Sequence, residues 1–87
     1  MDYITYILFS LEHDKYYIGQ TNDLERRLNQ HNDDKKSWTR KYKPWIVVYR
    51  NTHSVRADAM KEEKYIKSLK NKERIKQYIS GWRSSVL

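Results

Sequence analysis

The sequence predicts an α+β fold: a small three-stranded antiparallel β-sheet flanked by helices, in the order β-β-α-β-α-α. Three observations predict it. Two runs rich in aromatic and β-branched residues lie a few residues apart near the N-terminus, close enough to pair as a hairpin. A third such run follows the single proline. Between and after these runs, apolar residues recur at helical spacing. Strands and helices mixed in this order pack as one sheet carrying helices.

Each element has its own signal. Tyr3 to Phe9 reads as a strand with both faces at least partly covered. Ser10 to Asp14 is short and polar, and Lys15 to Gln20 is the second strand. Asn22 or Asp23 can cap a helix over Leu24 to Asn32. Asn32 to Lys43 is polar and basic, a loop with at most a short helical turn. Pro44 then opens the third strand, Trp45 to Tyr49, because a residue without an N–H fits a strand's first position. Ser54 is a plausible N-cap for a long helix reaching about Lys70. A shorter helix with Ile75, Tyr78 and Ile79 is expected to end before Gly81, and the tail Trp82 to Leu87 has no pattern.

The chain has 87 residues and reads as one domain with one small core. Apolar residues are 38% and aromatics 14%, so that core is built from few but large side chains. With no cysteine, neither disulfides nor thiolate metal sites can hold the fold. No run approaches the roughly 18 apolar residues of a membrane span. The segment after Asp2 goes straight into a strand pattern and does not read as a signal peptide, so the cytoplasm is the expected compartment. The formal charge of +7 points to a polyanionic partner, nucleic acid first among them.

Several residues stand out chemically. Arg27 and His31 are four apart, on one helix face, within roughly 60° of the Leu24–Leu28 line. Arginine there can fork onto a phosphate, and the histidine beside it can move a proton near neutral pH. A solvated helix has the same spacing, so spacing alone does not separate the two readings; Arg26 is expected to point away. In the long helix Val55, Ala59, Met60, Ile66 and Leu69 form an apolar stripe, with Glu63 inside it and Glu62 at its edge. A core-facing carboxylate needs a partner. A divalent cation is one, and Arg27, a lysine or a tyrosine hydroxyl are others. Tyr6 and Tyr17 lie in the hairpin strands, where core packing is the usual fate of tyrosine. Gly19, two residues after Tyr17, suits a close approach of other atoms. Lys35, Lys36, Trp38, Arg40, Lys41, Tyr42 and Lys43 mix cations with aromatics, as suits phosphate contact and base stacking, or a plain solvated loop.

Together these residues resemble the GIY-YIG nuclease superfamily. The first motif would be Ile4-Thr5-Tyr6, continuing through Ile7-Leu8, and the second Tyr17-Ile18-Gly19. The helix Asp23-Leu24-Glu25-Arg26-Arg27-Leu28-Asn29-Gln30-His31 looks like the family's Arg-and-His helix. Ala59, Glu63, Ile66, Lys67 and Leu69 resemble the helix bearing its metal-binding glutamate, and Pro44-Trp45 before a strand matches small stand-alone bacterial members. The resemblance runs from about Tyr3 to Ile79. It departs at Ile4-Thr5, where the namesake motif has Gly-Ile, and at Gln20, where some members carry lysine.

The resemblance implies a divalent-metal-dependent endonuclease hydrolysing phosphodiester bonds, on DNA more readily than RNA. By position, Tyr6 and Tyr17 would orient or deprotonate the attacking water. Arg27 would stabilise the pentacovalent phosphate, His31 would assist proton transfer, Glu63 would hold Mg²⁺ or Mn²⁺, and Gly19 would permit close packing. Without lysine at position 20, His31 gains weight as proton acceptor. No specificity domain is visible, so cutting is expected to be structure-directed, weakly specific, or dependent on a partner protein. The rival expectation is a non-catalytic nucleic-acid-binding module on the same scaffold.

Overall fold

The computed structural model describes residues 2–33 and 41–86, with side chains left undescribed at 33 and 83–86. The elements are β1 (Tyr3–Ser10), β2 (Lys15–Thr21), α1 (Leu24–Asp33), β3 (Trp45–His53), α2 (Arg56–Ser68) and α3 (Lys72–Val86). The sheet order is β2-β1-β3, antiparallel throughout. This is the architecture and order expected.

β1 is central, and its period-two alternation feeds two cores. Ile7 joins Ile18, Tyr49, Ile66, Ile75 and Ile79 in one cluster. Tyr6 and Leu8 join Leu24 and Trp45 in the other. That is why β1 reads apolar along its length. The polar side chains of β1 are buried with partners: Thr5 Oγ1 donates to the Ala59 carbonyl at 2.8 Å, and Ser10 Oγ to the Tyr42 carbonyl at 2.5 Å. The hairpin turns through Asp14, whose φ of 51° is a conformation aspartate tolerates.

Side-chain caps set the starts of α1 and α3. Asp23 Oδ1 accepts the Arg26 N–H at 3.2 Å, so Asp23 rather than Asn22 caps α1. Asn71 Oδ1 accepts the N–H groups of Glu73 (2.8 Å) and Arg74 (3.3 Å) at the start of α3. Near the end of α1, Asn32 clasps the first residue of β3, accepting the Trp45 N–H at 2.7 Å and donating to its carbonyl at 3.3 Å.

Three local expectations are corrected. Val55, not Ser54, occupies the N-cap position of α2, and it makes no side-chain cap bond. The α2 stripe is narrower than expected: Ala59 and Ile66 are buried, but Val55 and Met60 are about half exposed (52% and 51%). Glycine does not end α3, which runs through Gly81 to Val86. The reason is packing: Ile75 and Ile79 are buried, and Trp82, one further turn along, packs on the Tyr49 ring with centroids 5.4 Å apart. The apolar face therefore continues past Gly81, and this outweighs about 1 kcal/mol of unfavourable glycine propensity.

Candidate active site

The β1–β2 register sets Tyr6 opposite Gly19 and Leu8 opposite Tyr17. Two rungs of the ladder therefore carry both hairpin phenols to one face, with ring centroids 6.3 Å apart and planes 26° from parallel. Gly19 makes this possible. A Cβ there would lie 2.6 Å from Tyr6 Oη and 3.2 Å from Tyr17 Cε1, inside contact distance. The glycine is a seat for the Tyr6 ring, the close approach its place in a strand suggested.

α1 covers this face. His31 is buried, 5% exposed, and its Nε2 lies 3.4 Å from Tyr6 Oη. Its ring packs on Tyr17 with centroids 4.4 Å apart. Arg27, one turn earlier, lies beside the Tyr6 and Tyr17 hydroxyls and donates to Gln30 Oε1 at 3.1 Å. Burial pushes the Tyr6 phenol above its usual range, and the Arg27 hydrogen bond only partly opposes this. Tyr6 is thus a protonated hydroxyl at neutral pH. The same contact holds the Arg27 guanidinium firmly charged.

The two adjacent glutamates of α2 have opposite situations. Glu62 was expected at the stripe's edge, yet it is the more enclosed, its side chain 11% exposed against 21% for Glu63. It accepts hydrogen bonds from the Tyr49 hydroxyl, from Tyr78 Oη at 2.7 Å and from Asn51 Nδ2 at 3.1 Å, and pairs with His53 Nε2 at 2.8 Å. A carboxylate offers about four lone-pair sites, so Glu62 is saturated. Burial pushes its pKa up, but the Tyr49, His53, Tyr78 and Asn51 bonds outweigh this and hold it below 4.5. Glu63 flanks Ala59–Ile66 on the other side, and its charge acts on the Tyr6 phenol. Its described partner is Lys67 Nζ at 2.8 Å, on a side chain 56% exposed. An exposed i,i+4 pair is worth a few tenths of a kcal/mol and exchanges readily. Of the two carboxylates, Glu63 is the one with oxygens open to a further ligand.

Tyr6, Tyr17, Gly19, Arg27 and His31 are thus gathered together, and Glu63 reaches this group through a weak effect of its charge on Tyr6. Arg26 does not simply point away: it lines a polar hollow together with Arg27. Of the basic segment, Lys41 and Lys43 are exposed, with Lys41 Nζ 5.7 Å from the Tyr42 ring. Lys35, Lys36, Trp38 and Arg40 lie outside the described residues. Among those described, no group of three or more His, Cys, Asp or Glu side chains gathers as a metal cage, and no helix is long and apolar enough to cross a membrane.

A sheet of this order, with paired strand tyrosines under an arginine–histidine helix and a glutamate on the next helix, defines a class. The model of the GIY-YIG catalytic domain matches residues 2–81, and the chain belongs to that family. Within it the chain is similar to the bacterial UPF0213 proteins. It is 35% identical over 71 residues to UPF0213 protein YazA of Bacillus subtilis, covering 80% of this chain and 71% of that one. It is 44% identical over 61 residues to a UPF0213 protein of Bacillus licheniformis, covering 67% of this chain and 63% of that one. The chain thus spans under two thirds of some of these relatives and a little more of others. The solution NMR structure of the UPF0213 protein BH0048 from Bacillus halodurans superposes with a TM-score of 0.59 at 28% identity, over 92% of this chain and 84% of that one.

Proposed function

We propose that this chain is a divalent-metal-dependent endonuclease hydrolysing phosphodiester bonds in DNA, with structure-directed or weak specificity. One observation carries the reading. Tyr6, the most enclosed phenol of the cluster, is touched by Arg27 and His31, seated on Gly19, and within electrostatic reach of Glu63. A purely structural tyrosine has no need of an arginine, a histidine and a carboxylate at once.

Glu63 fits Mg²⁺ or Mn²⁺. Mg²⁺ is commonly held by one or two carboxylates, with waters and substrate phosphate oxygens completing the shell. A single half-buried carboxylate paired with a displaceable surface lysine meets that requirement. When bound, the ion neutralises charge on the phosphate and polarises the attacking water. Arg27 presents forked donors to the phosphate as charge builds on its equatorial oxygens.

The proton route follows from burial. Tyr6 is fully buried and His31 5% exposed, so neither meets substrate directly; Tyr17, half-buried and packed on the His31 ring, is the phenol that water can reach. The Tyr17 hydroxyl orients the attacking water, while Tyr6 Oη, 3.4 Å from His31 Nε2, fixes the imidazole behind it. As that water attacks, Tyr17 Oη takes its proton and gives up its own to solvent. The new P–O bond forms as the bond to the leaving oxygen breaks, and that oxygen is protonated from solvent. The Tyr17 ring lies tilted by 57° against the His31 ring, and that contact positions the phenol.

The test is incubation with branched, nicked and single-stranded DNA in Mg²⁺ or Mn²⁺. Cleavage is expected on at least one, abolished by chelation and lowered at least about hundredfold by Glu63→Ala or Arg27→Ala. Cleavage surviving either substitution unchanged overturns the proposal. The Glu63–Lys67 pair favours a second reading, a binding module whose carboxylate is already neutralised. It predicts salt-sensitive DNA binding with no product and no metal effect on melting.

A further inference from the structure

Beside the tyrosine cluster lies a polar hollow of about 240 Å³, lined by Gln20, Asp23, Arg26, Arg27, Gln30 and Arg56 among others. Arg27 belongs to both. The hollow gathers guanidiniums from α1 and from the first residue of α2, segments far apart in the chain. Neither Arg26 nor Arg56 pairs with a carboxylate among the described residues. Asp23, the one carboxylate lining the hollow, accepts the Arg26 backbone N–H as the α1 cap. The Arg56 guanidinium lies 5.2 Å from the Tyr3 ring, which supports it without discharging it.

A second, independent feature points the same way. Gln20 lines the hollow, and its Oε1 is buried with no hydrogen-bond partner among the described residues. A buried amide end without a partner is costly, and natural folds keep few of them. Turning out of this buried position into the hollow, the half-buried Gln20 side chain would offer its NH₂ to an anionic oxygen. Gathered guanidiniums and a spare amide are the chemistry that grips a phosphate diester in a fork.

We infer that this hollow binds the backbone phosphate next to the scissile one, so that the chain's substrate is a polynucleotide strand held by at least two consecutive phosphates. This rests on the proposal that the tyrosine cluster handles a phosphodiester. Arg27 faces the reacting group, while Arg26, Arg56 and Gln20 take its neighbour. Because only the sugar-phosphate backbone is gripped, the subsite adds affinity without base preference.

The inference is tested by binding in EDTA, where nothing can be cut. Affinities of the full chain for a deoxydinucleotide (one internal phosphate) and a deoxytrinucleotide (two) are compared by NMR titration. For the unaltered protein the longer ligand is expected to bind about tenfold tighter, the worth of one charged hydrogen-bonded contact. In Arg26→Gln/Arg56→Gln the ratio is expected to fall to the statistical value of about two, with the same fall, smaller, in Gln20→Ala. In Lys70→Gln/Arg74→Gln, which removes the same charge from exposed cations outside the hollow's lining, the ratio stays near ten. A ratio already near two in the unaltered protein, a ratio unmoved in Arg26→Gln/Arg56→Gln, or an equal fall in the control pair each overturns it. Spectra of each variant establish that it is folded, and the single substitutions replace the pair if it is not. Cleavage in Mn²⁺ is measured separately. Coupling without cleavage sinks the nuclease proposal and keeps the subsite, and cleavage without coupling does the reverse.

Discussion

At the scale of single residues, small differences in what a side chain touches decide its use. Gly19 contributes nothing except the absence of a Cβ, yet the Tyr6 hydroxyl occupies that space. Gly19→Ala must push the Tyr6 ring off His31 or bend β2. The expected outcome is a loss of about 1–3 kcal/mol in urea unfolding, as for overpacked cores. Any cleavage is expected to fall at least about tenfold, because a displacement near 1 Å at a reacting centre is expensive. An alanine variant with unaltered stability would show that the phenol is not held where described. Motif order in the sequence singles out Tyr6, Tyr17, Gly19, Arg27 and His31 as candidates, and the fold sets them side by side. Helical spacing puts Glu63 inside the apolar stripe of α2 and Glu62 at its edge, whereas Glu62 is the more enclosed of the two. What separates them is the array of donors on β3 and α3, and such distant pairings leave no local signal.

At the scale of elements, Glu62 is the joint of the molecule. Its carboxylate binds Tyr49, Asn51 and His53 on β3 and Tyr78 on α3, and so fixes α2 against both. Glu63, the next residue, takes its position from that joint. Folding lowers the Glu62 pKa below its ordinary 4.5. The stability it contributes is therefore fully present above about pH 4.5 and lost as pH falls through the folded value. Glu62→Gln is expected to cost about 2 kcal/mol at pH 7, in keeping with lost hydrogen bonds to a buried charge. The deficit should shrink at pH 3, and urea unfolding at the two pH values measures it. An equal deficit at both would mean the charge itself contributes nothing. The strands and α1 were legible because alternation and the Asp23 cap are local signals. The end of α3 was not: glycine is a local stop sign, and the packing of Trp82 on Tyr49 that overrides it is tertiary.

At the scale of the whole molecule, a charge of +7 on 87 residues draws polyanions from any direction, but the sheet focuses that field. β2 and α1 set Arg26 and Arg27 along one side of the tyrosine cluster, and Arg56 joins them from the end of the sheet. Composition predicted a nucleic-acid partner without saying where it would lie, because charge counts carry no geometry. This focus of charge is proposed to be hydrolytic. The most direct measurement is the single-turnover rate of strand cleavage by Glu63→Gln in Mn²⁺, beside its melting temperature. The substitution gives up only a surface pair with Lys67, worth about 0.3 kcal/mol, so melting should stay within a few degrees of wild type. The cleavage rate should fall at least about hundredfold. A rate within about twofold of wild type in a variant that melts normally would contradict the account.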